Sequence, residues 1–390
     1  GELYKLKRER PDIVIGVTGC MAQRLGPALL EKAPYVELVM GPDEYRKLPE
    51  VLGGLRKKQL PVIQTPRASQ QPSRGVSHVD FDINENYEGL EIARANRITA
   101  WVPVQRGCNY RCTYCIVPYT RGDEKNRDPQ HILAEVRDVV EQGIPEVVLL
   151  GQTVNSYEHG DWNFSRLLRE VAHIDGVKRV RFTSPHPNDF TRDLVDVMAS
   201  EPNVCKQLHL PVQSGSNRTL KRMLRRYTVE EYLEKIDWVR SAIPNIALST
   251  DIIVGFPGET DEEYEATLDF MRTVRYDDAF LYKYSLREGT PATRLPQGDF
   301  IADDVAQSRL ERLIELHRSI QAEINAREVG STVEVLVERT ARSAGDVLGR
   351  TESNKVVAFA GEDSLIGQFM QVEITSTTGS TFVGAALQAV

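Results

Sequence analysis

Thr99-Ala-Trp-Val-Pro-Val-Gln-Arg-Gly-Cys-Asn-Tyr-Arg-Cys-Thr-Tyr-Cys115 joins one short apolar run to three thiols crowded into eight residues. The run Thr99–Val104 has the length of a buried strand, and similar runs follow at Glu146–Leu150, Arg179–Phe182, Gln207–Val212, Ala247–Val254 and Phe280–Tyr284. Longer amphipathic segments separate them: His131–Gln142, Phe164–Ala172, Arg192–Ala199, Glu230–Ser241 and Glu262–Thr273. Six such β/α units predict an α/β fold whose parallel sheet curves into a partial (β/α)6 barrel. Sheets of this kind place ligands beyond the carboxyl ends of their strands. The cysteine loop is the first of those strand ends.

Outward from that core, residues 1–63 alternate strand and helix. The pattern is a helix at Leu3–Arg10, Ile13–Val17, a helix near Ala22–Lys32, Val36–Met40 and a helix near Tyr45–Leu55, which predicts a small amino-terminal α/β domain. Residues 64–97 open with Pro66, Ser69, Gln70, Gln71, Pro72, Ser73 and Gly75 and are expected to be a linker. The barrel core then occupies 98–330 and ends in a long charged helix, Ala302–Arg327. Residues 331–390 turn to short segments rich in Val, Thr and Gly, the pattern of a small all-β barrel.

Composition narrows the class. The 390 residues are 41% hydrophobic and 27% charged, ordinary for a globular protein of two or three domains. No run reaches the ~18 apolar residues of a membrane span, and Gly1–Lys5 carries no signal pattern, so a cytoplasmic protein without membrane attachment is expected. The first residue is Gly1 and the chain opens inside a helical pattern, which suggests an amino-terminally truncated sequence. Five cysteines, three of them in one loop, fit metal chemistry better than a disulfide framework. A net charge of −8 excludes blanket attraction to nucleic acid, so any RNA contact needs a local basic patch.

The spacing of Cys108, Cys112 and Cys115 is C-x3-C-x2-C. Three thiolates on one tight loop each hold one iron of a [4Fe-4S] cubane and leave the fourth iron open for chemistry. The plainer alternative is structural zinc, which wants four ligands, and only His186 or His209 is on hand as a distant fourth.

This spacing, with Tyr114 before the third cysteine, resembles the radical S-adenosylmethionine superfamily. The longer runs Cys112-Thr-Tyr-Cys-Ile-Val-Pro-Tyr-Thr-Arg-Gly122 and Leu150-Gly-Gln-Thr-Val-Asn-Ser-Tyr157 are similar to those of the methylthiotransferases, in particular the branch acting on isopentenyladenosine at position 37 beside the tRNA anticodon. Gly19-Cys-Met-Ala-Gln23 matches that family's amino-terminal domain. Gly349-Arg-Thr-Glu-Ser-Asn-Lys-Val-Val357 and Ile366-Gly-Gln-Phe369 match its TRAM RNA-binding domain. The resemblance implies a radical transferase that cleaves S-adenosylmethionine on the cluster of Cys108, Cys112 and Cys115. It implies cofactor contacts from Tyr114, Gly151, Gln152, Ser184, Gln213, Ser214, Arg225 and Gly255, with Arg225 near the cofactor carboxylate. Taken singly, the Gly, Gln and Ser residues are ordinary turn formers. Cys20 would be one of three ligands to a second, auxiliary [4Fe-4S] cluster, the other two lying upstream of Gly1. Without the resemblance, Cys20 reads as a small buried apolar residue, as Cys205 does. The implied partners are tRNA and a small electron donor such as flavodoxin or ferredoxin, with the enzyme a monomer.

Two basic features bear on RNA. Over Asn217–Thr228, Leu220, Met223, Leu224 and Tyr227 mark a buried helix face, and Arg218, Lys221, Arg222, Arg225 and Arg226 form a strip beside it without acidic neighbours. Lys221 and Arg222 are the phosphate-contact candidates, against the alternative of a solvated charged face. In residues 331–390 four basic side chains face seven acidic ones. RNA contact by Arg350, Asn354 and Lys355 therefore rests on the resemblance, the alternative being a polar hairpin turn. Related enzymes acting on threonylcarbamoyladenosine or on a ribosomal-protein aspartate share the cysteine motif, and Thr153 stands where the isopentenyladenosine branch commonly has Asn. A silent RNA-binding scaffold is the remaining possibility, and the intact cysteines speak against it.

Overall fold

The computed structural model describes residues 2–57, 75–90, 92, 94 and 97–389. They divide into two compact units, one drawn from 1–89, 106–111 and 115–125 and the other from 90–105, 112–114 and 126–390. No helix among the described residues is long and apolar enough to cross a membrane.

The first unit contains α1 (Glu2–Glu9), β1 (Gly16–Thr18), α2 (Cys20–Leu25), α3 (Ala28–Lys32), β2 (Leu38–Met40), α4 (Leu48–Lys57), β3 (Val76–His78) and α5 (Val117–Arg121). Its strands form a parallel sheet in the order β1-β2-β3. The single helix expected near Ala22–Lys32 is broken in two, because Gly26 takes φ 51° and Pro27 has no N–H to continue the ladder. β3 lies inside the stretch expected as linker, and it forms because the Val76 N–H donates to Glu37 O at 3.0 Å while its side chain joins Leu38, Met40 and Val51. The expected linker positions 64–74, 91, 93, 95 and 96 lie outside the described residues.

The second unit holds β4 (Thr99–Pro103), α6 (Pro129–Glu141), β5 (Glu146–Leu150), α7 (Phe164–Ala172), β6 (Arg179–Phe182), α8 (Arg192–Ser200), β7 (Gln207–His209), α9 (Asn217–Arg222), α10 (Val229–Ala242), β8 (Ala247–Val254), α11 (Asp261–Val274), β9 (Asp278–Lys283) and α12 (Asp303–Ala326). β4, β5 and β6 are parallel neighbours, as are β7, β8 and β9. A parallel bridge between Val180 and Val204 joins the two triplets into one arc. Among the described residues no ladder joins β9 back to β4, so the barrel is partial as expected. β7 stops three residues short of its expected end, since Pro211 has no N–H for the ladder. Alternation gives the strands two faces. Val102, Val147, Leu149, Val180, Leu208, Ile252 and Leu281 pack among the helices, while Trp101, Arg181, His209, Asp251, Phe280 and Tyr282 take the opposite, concave face.

In the same unit, β10 (Thr332–Thr340), β11 (Asp346–Thr351), β12 (Val356–Ala360), β13 (Phe369–Thr377) and β14 (Thr381–Ala389) close a barrel in the order β10-β11-β12-β14-β13. The sequence-expected all-β tail is thus a closed barrel with its own core, including Val335, Val347, Phe359, Val372 and Phe382. Its β11–β12 hairpin docks on two arginines of β6. Arg179 donates to Arg350 O at 2.8 Å and to Glu334 O at 3.0 Å, and Arg181 donates to Thr351 O at 2.7 Å and to Glu352 O at 2.8 Å. Arg181 also donates to the buried Glu146 carboxylate at 2.9 Å. Arg181→Met takes the cation from that buried carboxylate, leaving it the Thr99 hydroxyl, and removes a donor from two carbonyls. We expect it to lower unfolding free energy by about 3–5 kcal/mol in urea titration, and to expose the 327–331 junction to limited proteolysis.

Candidate functional site

The cysteine loop is shaped from both of its shoulders. Gly107 takes φ 76°, and a Cβ there would come within 2.0 Å of Asp123 O, so only glycine lets the chain turn in. The Cys108 N–H then donates to Gly122 O at 3.1 Å, and Arg111 spans from Cys108 O (3.1 Å) to the Asp123 carboxylate (2.6 Å). In the same unit Arg121 donates Nε–H to the Cys20 sulfur at 2.9 Å. Cys108, Cys112 and Cys205 are buried, and Cys20 and Cys115 are partly so. Burial pushes the Cys205 thiol up to about 11, the behaviour of an inert packing cysteine.

The centre of the loop belongs to the second unit. The Thr113 N–H donates to Met223 O and its hydroxyl to Arg222 O, both at 3.0 Å, so it satisfies carbonyls at the end of α9. On its other side Thr113 O accepts from the Ala292 N–H at 2.9 Å. Tyr114 packs against Met223, Phe256 and Ala292. Cys112 is thereby held beside Arg225, whose Nη1 lies 3.6 Å from its sulfur.

Among the described residues no three His, Cys, Asp or Glu side chains close on one point as a single metal ion requires. A cubane makes a different demand, one thiol per iron, each spread to its own corner. Three thiols on one loop, with a guanidinium facing Cys112, suit such an anionic centre. The two histidines considered as fourth zinc ligands are engaged elsewhere. His186 Nδ1 accepts from the Asn188 N–H, and His209 Nδ1 is paired with Ser249 Oγ at 3.0 Å.

The other strand ends are tied to one another. The Gln105 side-chain oxygen accepts from the N–H groups of Gln152 (3.0 Å) and Thr153 (3.1 Å), which sets the turn after β5. Asn155 links that turn to the one after β6, donating to His186 O at 2.9 Å and accepting from its N–H at 2.7 Å. Ser184 (φ 59°) and Gln213 (φ 73°) hold left-handed backbone, strain of the kind that collects at ligand sites. Ser214 is fully buried, and its hydroxyl accepts from the Ser216 N–H. The Gly255 N–H donates to Glu259 at 2.7 Å, and Glu259 is ion-paired with Arg309.

The basic strip differs from its helical expectation. α9 ends at Arg222, Leu224 turns to φ 56° and is half exposed, and Arg225 folds inward. Acidic partners come from distant sequence, Glu263 for Arg218 and Asp299 for Arg222, both at 3.5 Å. Lys221 remains exposed.

A cavity of about 430 Å³ runs from Ser184 along the concave face to the carboxyl-terminal barrel, past His209, Ser249, Phe280, Arg350 and Asn354. The His209 and Phe280 rings meet in a T-shaped contact (centroids 5.7 Å apart), and His209 Nε2 lies 3.6 Å from the Asp251 carboxylate. The Phe280 side is half open to solvent. Sequence reasoning passed over Phe280 and Asp251, although strict alternation against the core residues of β8 and β9 marked both. Asn354 accepts from Arg350 at 3.1 Å. The Lys355 ammonium is bound to Asp277 (2.8 Å) and Glu328, so its charge is already neutralised within the protein.

Residues 102–271 match the family model of the radical SAM superfamily, and 326–384 match that of the TRAM domain. The chain is 44% identical over 381 residues to the tRNA-2-methylthio-N(6)-dimethylallyladenosine synthase of Carboxydothermus hydrogenoformans, covering 96% of this chain and 83% of that protein. It is 43% identical over 395 residues to the protein of the same name from Thermoanaerobacter sp., covering 100% of this chain and 80% of that one. Among solved structures, the radical S-adenosylmethionine methyltransferase TsrM from Kitasatospora setae, with cobalamin and a [4Fe-4S] cluster bound, aligns with a TM-score of 0.57 at 18% identity, over 86% of this chain and 62% of that one. The cobalamin-dependent radical enzyme OxsB aligns with a TM-score of 0.53 at 15% identity, over 82% and 46% of the two chains. These two likenesses are of fold.

The turn after β5 has no room for a side chain at its first residue. A Cβ on Gly151 would lie 2.7 Å from Gln105 Oε1 and 2.8 Å from Val154 Cα. Gly151→Ala is expected to cost about 1–3 kcal/mol of stability in chemical denaturation, and to lose hydrogen-exchange protection at Gln152 and Thr153.

Proposed function

The chain belongs to the tRNA-2-methylthio-N(6)-dimethylallyladenosine synthase family, and on that premise we propose that it inserts sulfur and a methyl group at C2 of N6-isopentenyladenosine at position 37 of tRNA. The observation that carries this reading is identity above 40% with enzymes of that name along nearly the whole chain, cysteine loop included. In functional terms residues 1–63 are part of the methylthiotransferase domain, 98–330 the radical core and 331–390 the RNA-binding module.

Cys108, Cys112 and Cys115 are the ligands of the radical cluster. Bound there, the cluster and S-adenosylmethionine would supply one-electron radical chemistry, with the electron delivered by a carrier such as flavodoxin or ferredoxin. The protein's part is to orient and to exclude water. Gly151 and Gln152, set by Gln105, present backbone to the methionine amino group. Ser184 and Gln213 offer polar groups from strained backbone, Gly255 lets the adenine approach, and Tyr114 and Ser214 brace the loops that carry them. Cys20, with Arg121 donating to its sulfur, is one ligand of an auxiliary cluster.

The target base enters the 430 Å³ cavity, where the Phe280 ring offers a stacking face and His209 and Ser249 offer hydrogen bonds. Arg350 and Asn354 line its far end, and Lys221 provides phosphate contact from α9. Lys355 acts on RNA only by holding the hairpin in place through Asp277 and Glu328.

Anaerobically reconstituted protein should convert S-adenosylmethionine to 5′-deoxyadenosine once reduced, and replacing Cys108, Cys112 and Cys115 together with Ala should abolish this. Residual 5′-deoxyadenosine above background in the triple variant would refute the ligand assignment. Phe280→Ala should retain that cleavage but weaken tRNA binding or raise its KM by roughly tenfold, the worth of one stacked base. An unchanged KM would place the substrate base elsewhere.

A further inference from the structure

Arg225 is only 9% exposed and carries a full positive charge, yet among the described residues no carboxylate lies within ion-pair distance of it. Its partners are neutral oxygens and one sulfur. Nε donates to the Tyr227 hydroxyl at 2.9 Å, Nη2 to Pro211 O at 3.0 Å and Nη1 to Cys112 Sγ at 3.6 Å. The Tyr227 hydroxyl hands its own proton to Val212 O at 2.8 Å, leaving a lone pair to face the guanidinium. The nearby imidazole of His186 is no counter-charge either. Burial, then Arg225 and Arg226, push it down to about 2, so it stays neutral. Other buried arginines of this unit do have carboxylates, Arg181 with Glu146 and Arg309 with Glu259.

Burying a charge without its opposite is costly, and the chain accepts local strain to do it. Leu224, a branched residue, takes left-handed φ and is turned half into solvent, which sends Arg225 inward. The Arg225 N–H then closes on Leu220 O at 2.9 Å, and Thr113, beside Cys112, is clamped to the carbonyls of Arg222 and Met223 on the same turn. Guanidinium and sulfur are thus fixed relative to each other by a common piece of backbone. Of the Arg225 partners, the Cys112 sulfur is the one that turns anionic on ligating iron.

Resting on the reading of the cysteine loop given above, we propose that Arg225 is the fixed counter-charge of the iron–sulfur centre held at Cys112 and that it raises the centre's one-electron reduction potential. Reduction takes one electron from an external one-electron donor, which is oxidised by one, and leaves the centre one unit more negative. A fixed cation in a low-dielectric setting favours the more negative state, and hydrogen bonds to cluster sulfurs act in the same direction. Arg225 is a positioning residue in this scheme, since it works through the sulfur of Cys112. The role differs from the contact with the cofactor carboxylate that sequence resemblance implies.

The test compares wild type, Arg225→Lys and Arg225→Met, each anaerobically reconstituted at full length and assayed for iron and sulfide. Midpoint potentials are read by electron paramagnetic resonance during redox titration without S-adenosylmethionine. Arg225→Met should titrate at a more negative potential than wild type, and Arg225→Lys, which keeps the charge, should fall close to wild type. An unchanged midpoint in Arg225→Met overturns the proposal, and if cofactor affinity alone drops, Arg225 belongs to the carboxylate instead. Equal shifts in Lys and Met variants also overturn it, because the fork geometry and not the charge would then matter. Should Arg225→Met fail to take up iron, loading of Arg225→Lys upholds the counter-charge and equal failure of both refutes it. The iron content of wild type against the triple cysteine variant tests the ligand assignment separately.

Discussion

The Asp43 carboxylate, its side chain 2% exposed, accepts from two cations that flank the cysteine loop in sequence, Arg106 at 2.5 Å and Lys125 at 2.6 Å. Arg106 also donates to Glu85 O at 2.8 Å and lies over the Tyr87 ring at 3.7 Å, and Glu85 in turn is paired with Arg46 at 2.6 Å. With both ends fixed on one buried carboxylate, the intervening residues must form a closed excursion. Its length and its glycine at 107 determine where the thiols fall. A buried ion pair of this type adds little net stability, but losing one member strands the other, so the arrangement is specific even where it is not strong. Every later feature of the loop presupposes this anchorage.

Strand alternation does the same work for the concave face. The face of β5–β9 that packs on helices is apolar almost without exception, so the concave face was free to carry Arg181, His209, Asp251 and Phe280. Two arginines of β6 then use this freedom to seat the β11–β12 hairpin. Their donors meet carbonyls of that hairpin, and Thr351 O accepts from Arg181 as well as from the Asn354 N–H of its own turn. The carboxyl-terminal barrel and the β/α core are thereby one continuous surface within this unit, and the cavity between Ser184 and Asn354 is a product of that docking.

Left-handed backbone recurs at Ser184 and Gln213 at strand ends, Leu224 before the buried arginine and Asn354 at the hairpin tip. None is glycine, so each conformation is held by surrounding hydrogen bonds rather than by intrinsic preference. At Leu224 the consequence is plainest, since the turn that exposes an apolar side chain is the turn that buries a charge.

Much of this was legible in the sequence. Cysteine spacing, six apolar runs at regular intervals and the change of character after Gly330 are local signals, set by period, length and turn residues within a few positions of each other, and they determined the partial barrel, the closed barrel and the cysteine loop. What tertiary structure decided was long-range. Val76–His78 became a strand because Glu37 and the β2 side chains were there to receive it, and Gly26-Pro27 cut a helix that periodicity alone ran through. Arg218 and Arg222 found acidic partners some forty and more residues away, at 263 and 299, and Lys355 was neutralised by Asp277 and Glu328. Arg225 left a strip of basic residues to face a sulfur more than a hundred positions earlier in the chain. Charge pairing depends on which side chains folding brings within a few ångströms, and no window of sequence contains both partners.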